Sequence, residues 1–405
     1  IMPQQTFTVS DNARVEIRNC HNRVTVAGWD DAQTIGVDRA ARQDGNTIFI
    51  EDESKVTVRA PRTATILIQD CEADIRVEEM AGAVELAAIN GDVALKNLSG
   101  TTRVIDVDGD LSANSIANLI GEGRWEKDVI LRDTPNVQVD KIEGDLVMQT
   151  VGTVTIRKIE GDLSGRELTG ALTIEQVEGD ISLRDTRGPI AIAKVEGDFV
   201  ASNMRAALDA PDVDGDAVIS FDQIAETTLR AEGDVVLNLP ADANAELELD
   251  AKGDMVIRAH LNVTEENESH VRGTLGTGGA KIRVESSSGD VIVRGGADEH
   301  RHSRKQQHAR AWDDEQRAQI RQMKERITAQ VREAVHASLG QVRIQKPKRG
   351  FGFILDIEPP APVENSAPAA PRPAAGSPER QASLDAVARG ELGVDDAIKK
   401  LTGEM

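Results

Sequence analysis

The residues with the most potential for chemistry are carboxylates that recur in Glu-Gly-Asp or Asp-Gly-Asp turns about every eighteen residues. Carboxylate oxygens arranged in a row suit a divalent cation, above all Ca²⁺. The candidate ladder consists of Asp145, Asp162, Asp180, Asp198, Asp216 and Asp234. The alternative is a structural role, in which each aspartate accepts hydrogen bonds from turn amides. Because a Ca²⁺-binding β-roll repeat has more glycine and aspartate per turn, we predict no resident metal.

Catalysis is the second chemistry that these carboxylates suggest, since some parallel β-helices cleave acidic polysaccharides with carboxylate clusters. A sugar site usually needs aromatic platforms. This chain has no tyrosine, and its tryptophans are Trp29, Trp125 and Trp312. No carboxylate stands out from the repeat as part of a catalytic group. We therefore expect no catalytic residue and no cofactor, with a polysaccharide-active enzyme as an alternative.

The same aspartates define the elements that position them. After each one the first and third residues are apolar, as in Ile181 and Leu183, and a second alternating pair follows about ten residues later, as in Ile190 and Ile192. Gly-Asp pairs place aspartates at Asp92, Asp110, Asp145, Asp162, Asp180, Asp198, Asp216, Asp234, Asp254 and Asp290, while Asp74, Asp128 and Arg272-Gly273 keep the register. Short parallel strands cannot be joined by tight hairpins, so the chain must wind. This predicts an all-β fold, a parallel β-helix or solenoid with coils of about 18 residues and two strands per coil, each coil pairing with its neighbours in sequence.

Glycines in the second turn of the coils, such as Gly170 and Gly188, are expected to allow a positive φ at a tight corner.

A resemblance to a known family supports this fold. The segment Phe7 to Ile50, with the run from Asn22 to Asp30, is followed by Val56 to Pro61 and then by the Gly-Asp coils. Together these residues, about 5 to 297, resemble the bacterial putative-adhesin domains of unknown function, which form parallel β-helices. The resemblance implies a fold, and it implies no particular ligand or reaction.

Charge is distributed unevenly along the chain. Residues 1–300 carry 29 Lys and Arg against 55 Asp and Glu, a net of −26, whereas residues 301–350 carry 13 against 5, a net of +8. Phosphate affinity comes from Lys and Arg, so we expect the acidic part not to bind nucleic acid. No run of apolar residues is long enough for a transmembrane span.

The two cysteines, Cys20 and Cys71, fall in or near strands of the first coils and are expected to be buried, reduced thiols, with a bridge as the alternative in an oxidising compartment. The start of the sequence lacks a basic region followed by an apolar run, so we expect a cytoplasmic protein. A signal peptide upstream of Ile1 would instead indicate the cell surface or secretion.

The period ends near residue 297, which gives four predicted regions. Residues 1–297 form the β-solenoid, of which 1–60 are an N-terminal β segment and cap. Residues 298–345 hold a basic amphipathic helix with Ile320, Met323, Ile327, Val331, Ala334 and Val335 at helical spacing. That helix is expected to cap the solenoid or lie along it, with self-association, or contact with an anionic membrane or nucleic acid, as alternatives. Residues 346–378 are an apolar hook and a Pro- and Ala-rich linker.

Residues 379–405 contain a short segment, Ser383 to Leu401, that is similar to the helical hairpins of bacterial short C-terminal (SHOCT-type) domains. The resemblance implies docking onto a partner or self-association.

The pattern as a whole predicts a non-catalytic structural or interaction scaffold that presents a binding surface. We expect it to bind a protein partner or to self-associate. The terminal hairpin is expected to be the recruiting element. One alternative is a secreted or surface adhesin that binds a glycan or a protein, and the other is the polysaccharide-active enzyme.

Overall fold

The computed structural model describes residues 5–295. These residues form thirty strands, which hydrogen bonds link into one continuous sheet, and no helix occurs among them. The predicted all-β solenoid is therefore confirmed for this part of the chain. The predicted amphipathic helix, linker and hairpin lie outside the described residues.

The first strands form two coils whose stacking order differs from their order in the sequence. The strands are β1 (Gln5–Thr8), β2 (Arg14–Arg18), β3 (His21–Trp29), β4 (Thr34–Val37), β5 (Arg42–Asp44), β6 (Thr47–Glu51), β7 (Lys55–Pro61) and β8 (Thr65–Glu78). Strands β2 and β3 pair in parallel with β6 and β7 on one side and with β8 on the other. The first coil thus lies between the second and the third. Strands β1, β4 and β5 add antiparallel pairs at this end.

The middle of the chain winds in sequence order. Each coil before that of β23 and β24 pairs in parallel with the coil before it and the coil after it. Its strands are β9 (Val84–Ile89), β10 (Val93–Val107), β11 (Leu111–Trp125), β12 (Val129–Arg132), β13 (Asn136–Ile142), β14 (Leu146–Gln149), β15 (Thr153–Ile159), β16 (Leu163–Arg166), β17 (Leu172–Val177), β18 (Ile181–Arg184), β19 (Ile190–Val195), β20 (Phe199–Met204), β21 (Leu208–Val213), β22 (Ala217–Phe221), β23 (Thr227–Ala231) and β24 (Val235–Leu239). The prediction of serial stacking holds for these coils.

The last described coils again depart from sequence order. The strands are β25 (Ala245–Ala251), β26 (Met255–Arg258), β27 (Leu261–Glu266), β28 (His270–Leu275), β29 (Ala280–Ser286) and β30 (Val291–Gly295). Strand β29 pairs with both β23 and β25, and β30 pairs with both β24 and β26. The final coil is therefore inserted between its two predecessors. The expectation that Arg272-Gly273 marks a coil was wrong, because β27 and β28 form an antiparallel hairpin on β25.

Two layers enclose the core. Layer A contains β6, β2, β9, β13, β15, β17, β19, β21, β23, β29 and β25, while layer B contains β7, β3, β12, β14, β16, β18, β20, β22, β24, β30 and β26. The long strands β8, β10 and β11 turn a corner and belong to both. Alternate side chains of each strand point inward, as Ile181, Leu183, Ile190 and Ile192 do, and all four are buried. This burial supplies the main stabilising term of the fold.

Non-glycine residues with positive φ recur at the corner where layer B leads back to layer A. Glu79, Asn97, Ser115, Asp133, Thr150, Glu167, Asp185 and Asn203 have φ between 48° and 61°. The glycines Gly170 and Gly188 do not, so the expectation about them was wrong. Glycine is needed there for close approach, because a Cβ on Gly188 would lie 1.8 Å from the carbonyl oxygen of Gly170.

Candidate functional site

The aspartates of the Gly-Asp turns form one hydrogen-bonded column along the corner where layer A leads to layer B. In each step a backbone N–H of one aspartate donates to Oδ1 of the aspartate in the neighbouring coil, as from Asp162 to Asp145 at 2.8 Å. In stacking order the column runs through Asp74, Asp92, Asp110, Asp128, Asp145, Asp162, Asp180, Asp198, Asp216, Asp234, Asp290 and Asp254, with N···Oδ1 distances from 2.7 to 3.4 Å. The carboxylates thus join coil to coil through charge-assisted hydrogen bonds.

The glycine before each aspartate makes room for this column. A Cβ on Gly161 would lie 2.4 Å from Oδ1 of Asp145 and 2.5 Å from the carbonyl oxygen of Gly144. Neither separation is possible for a real carbon atom. The glycine of each Gly-Asp pair therefore leaves space for the carboxylate of the preceding coil in the stack.

Burial and mutual repulsion oppose ionisation at two positions of the column, Asp110 and Asp145. Burial, followed by the charges of Asp92 and Asp128, raises the pKa of Asp110 above its ordinary value. Burial likewise raises the pKa of Asp145, although the hydrogen bond from the amide of Asp162 acts in the opposite direction. The hydrogen bonds therefore hold these two carboxylates in places where their charge is unfavourable.

The structure brings all six carboxylates of the candidate Ca²⁺ ladder into this column. Each accepts a backbone amide through Oδ1, which gives it a structural partner. Within residues 5–295 no group of three or more His, Cys, Asp or Glu side chains is arranged to hold a metal ion. The absence of a resident metal stays a prediction, with the calcium ladder as its alternative.

A second column runs beside the first and pairs acids with bases. Lys141 Nζ lies 2.7 Å from Glu143 and 3.0 Å from Glu160, and Lys158 Nζ lies 3.0 Å from Glu160 and 2.6 Å from Glu178. Lys194 continues the pattern with Glu196 and Asp214 at 3.3 and 3.6 Å. Each lysine therefore bridges the acids of two coils.

The hydrogen bonds of this column shift the pKa values of Lys158 and Glu160. Hydrogen bonds to Glu178 and Glu160 raise the pKa of Lys158, and those from Lys141 and Lys158 lower the pKa of Glu160. Sequence analysis missed this pairing, and the signal was a Lys two residues before the Glu of the turn, as in Lys158-Ile159-Glu160-Gly161-Asp162. Three lysines therefore offset part of the charge of the five acids in this column.

The outer surface of layer A has a depression of about 500 Å³ near its N-terminal end. Leu67 lies in its floor, pointing away from the core, and it is 6% exposed. Its walls include Arg14, Arg18, Thr65, Gln69, Thr101 and Arg103. We call this depression the layer A groove. It crosses β2, β8, β9 and β10, so that residues far apart in the sequence build it.

Ion pairs hold the arginines of the groove. Arg14 and Arg18 both contact the carboxylate of Glu16, at 2.8 and 3.2 Å, and Arg103 lies 2.6 Å from Glu122. These three arginine side chains are about half exposed. The groove combines an apolar floor with ordered polar walls, a composition typical of protein-binding surfaces.

The cysteines occupy neighbouring coils, since β2 pairs with β8 and brings Arg18 opposite Gln69. Both thiols are free and buried. Cys20 donates to the carbonyl oxygen of Arg18 and Cys71 to that of Gln69. The interaction between the two thiols lowers the pKa of Cys20 and raises that of Cys71, which burial raises further. Buried thiols are unreactive, so the pair contributes to the core.

A search for membrane spans in residues 5–295 finds no helix with the length and hydropathy needed to cross a bilayer.

Comparison with known proteins addresses the solenoid. A family model described as Toastrack DUF4097 matches residues 6–232 and 188–294. No curated protein matches the chain. Among solved structures, a "putative cell adhesion protein" from Clostridium sporogenes is 8% identical, with 72% of this chain and 99% of that chain covered and a TM-score of 0.13. That score carries no inference about this chain.

Proposed function

Because the chain belongs to the Toastrack DUF4097 family, we propose that it is a non-catalytic, adhesin-like scaffold that binds a protein partner on the outer surface of its solenoid. The observation that carries the proposal is the layer A groove. It offers an apolar floor at Leu67 within an otherwise polar surface. An apolar side chain of a partner would cover Leu67, with its polar neighbours facing the arginine walls.

The acidic turns support a scaffold over an enzyme. The aspartate column is engaged in hydrogen bonds between coils, and the adjacent glutamates are engaged with lysines. A catalytic acid or base must instead reach a substrate in a site that excludes water. Neither column lines the layer A groove.

Further parts of the proposal concern residues outside 5–295. The segment 379–405 would recruit the partner or self-associate, and the solenoid would display it. We place the protein in the cytoplasm, where buried free thiols such as Cys20 and Cys71 stay reduced.

A binding experiment with a matched pair of variants tests the proposal. Thr101→Arg adds a long side chain to the wall of the groove, whereas Thr153→Arg adds the same side chain at an exposed position on β15, outside the groove. Full-length chain and both variants are used as bait in extracts of the native host, and the recovered proteins are quantified. We expect Thr101→Arg to lose a partner that wild type and Thr153→Arg both recover.

Equal recovery by all three baits would contradict a role for the groove. A full-length bait is then compared with one that lacks residues 379–405. If that deletion alone abolishes recovery, the terminal segment is the binding element and the solenoid only displays it. Retention of a glycan from a panel, abolished by Thr101→Arg, would assign the groove to a sugar.

A further inference from the structure

An apolar stripe runs along the outside of layer B near its C-terminal end. Its members are the outward-facing residues of five neighbouring strands, in register with one another: Val200, Val218, Val236, Ile292 and Val256. We call this set the layer B stripe. Ser164 and Ser182 occupy the same row in the preceding coils, so the apolar run begins at Val200. Such a run is unusual on the solvent side of a sheet with one buried face.

Two members of the stripe are almost fully buried. Val236 and Ile292 are 2% and 6% exposed although they face away from the core. The core cluster of the described residues contains their strand neighbours Val235, Leu237 and Val293 but neither of these two. The stripe therefore gathers buried apolar side chains outside the core of the solenoid.

The aspartate column borders the stripe along its whole length. Each stripe residue follows an aspartate of the column by two positions, as Val218 follows Asp216 and Val236 follows Asp234. A ligand on the stripe would meet an apolar row beside a row of carboxylates. An amphipathic, basic segment has the complementary pattern.

We infer that the layer B stripe is the docking site for residues 313–339 of the same chain. Strand β30 carries Ile292 of the stripe and ends at Gly295, so the chain leaves from the stripe itself. Seventeen residues, 296–312, separate that point from Asp313, enough to reach about 55 Å when extended. The covalent link thus keeps the following residues within reach of the stripe, whereas a partner must first diffuse to it.

Length and charge fit this occupant. Five strands at a spacing of about 4.8 Å make a stripe of about 19 Å between its first and last members. At about 1.5 Å per helical residue, the apolar positions from Ile320 to Val335 span about 22 Å. Residues 301–350 carry a net charge of +8 against −26 for residues 1–300, so attraction favours the contact. The basic segment covers the stripe and lies beside the aspartates.

Hydrogen exchange of the full-length chain tests the docking. Peptides from residues 313–339 are followed by mass spectrometry in wild type, Val218→Asp and Ser164→Asp. Val218→Asp places a charge within the stripe, and Ser164→Asp places it in the same row beyond the stripe. We expect exchange in 313–339 to be at least about tenfold faster in Val218→Asp and unchanged in Ser164→Asp.

The reciprocal variant Ile327→Asp removes the apolar contact from the segment, and it is expected to accelerate exchange there by the same factor. Circular dichroism confirms that each variant is folded, and Val218→Ser replaces Val218→Asp if that protein unfolds. Rapid exchange of 313–339 in wild type overturns the inference, as does slow exchange that Val218→Asp or Val218→Ser leaves unchanged. Protection that is lost on dilution assigns the stripe to a second copy, and this result also overturns it.

Discussion

The backbone N–H of Asp290 donates to Oδ1 of Asp234 at 2.8 Å, across 56 residues of sequence. Asp254 in turn donates to Asp290 at 2.7 Å. The aspartate column therefore follows the order of the coils in space, which differs here from their order in the sequence. At the other end the coil of β2 and β3 is inserted in the same manner. The outermost coil at each end of the described solenoid is therefore not the first or the last coil in the sequence.

Engineered disulfides test this order. Asn238 and Arg294 are registered neighbours on β24 and β30, and Arg258 lies one strand further in the same row. Neighbouring strands are about 4.8 Å apart, within the range for a disulfide, whereas the next strand but one at about 10 Å is too far. We expect Asn238→Cys with Arg294→Cys to form a bridge with oxidised glutathione. Asn238→Cys with Arg258→Cys, the pair that serial stacking would join, should stay reduced, and the reverse pattern would refute the insertion.

The close approach at Gly161 predicts a large effect from a single methyl group. Gly161→Ala should lower the free energy of unfolding by about 1–3 kcal/mol, because the new Cβ overlaps Oδ1 of Asp145 and the carbonyl oxygen of Gly144. Urea denaturation measures the loss. In an Asp145→Ala background, Gly161→Ala should cost less stability because Oδ1 of Asp145 is absent. The overlap with the carbonyl oxygen of Gly144 remains, so part of the cost should persist. Equal costs in both backgrounds would show that the carboxylate does not fill this space.

The positive φ of Thr150 predicts a stabilising substitution. Threonine is branched at Cβ and fits poorly at φ 54°, whereas asparagine tolerates this region. Thr150→Asn should raise the free energy of unfolding by about 0.5–1 kcal/mol. Thr153→Asn is the matched control in the adjacent strand β15, where asparagine brings no conformational gain. A larger gain at residue 153 than at residue 150 would refute the explanation.

The raised pKa of Asp110 predicts a pH-dependent effect of a neutral replacement. In the interval between the ordinary carboxyl pKa of about 4 and the raised folded value, the folded state binds more protons than the unfolded state. Stability contributed at this site therefore falls as pH rises. Asp110→Asn keeps an acceptor for the Asp128 amide without the charge, so it should be more stable than wild type at neutral pH. Thermal unfolding from pH 7 to 3 should show this difference shrinking, and a difference that grows on acidification would contradict the assignment.

Periodicity predicted the greater part of the fold. The apolar pairs at Ile181 and Leu183 and at Ile190 and Ile192 lie in the core because alternation and burial are local properties of a strand. The turn aspartates form a column because equal spacing places them in register. The pairing of Lys158 with Glu160 and Glu178 was equally periodic and could have been recognised from the sequence.

Other features depend on which strand edges meet. The insertion of β30 between β24 and β26 leaves no mark on the eighteen-residue period, since every coil offers the same edges. The layer A groove needs Arg14, Thr65 and Thr101 to come together, and only the reordered first coils do this. Close packing at Gly188 was mistaken for a positive φ because both favour glycine, and only the structure separates them.

The role of the aspartate column is tested most directly by measuring the unfolding free energy of Asp145→Asn and Asp145→Ala at neutral pH. If the carboxylate serves as the acceptor for the Asp162 amide, asparagine keeps the bond, removes an unfavourable buried charge, and should be at least as stable as wild type. Alanine leaves the amide without its acceptor and should lose about 1–3 kcal/mol. The contrary result is equal destabilisation by both variants, together with a stabilisation by added Ca²⁺ that wild type alone shows. It would mean that the column needs its charge, and it would contradict the role as hydrogen-bond acceptor.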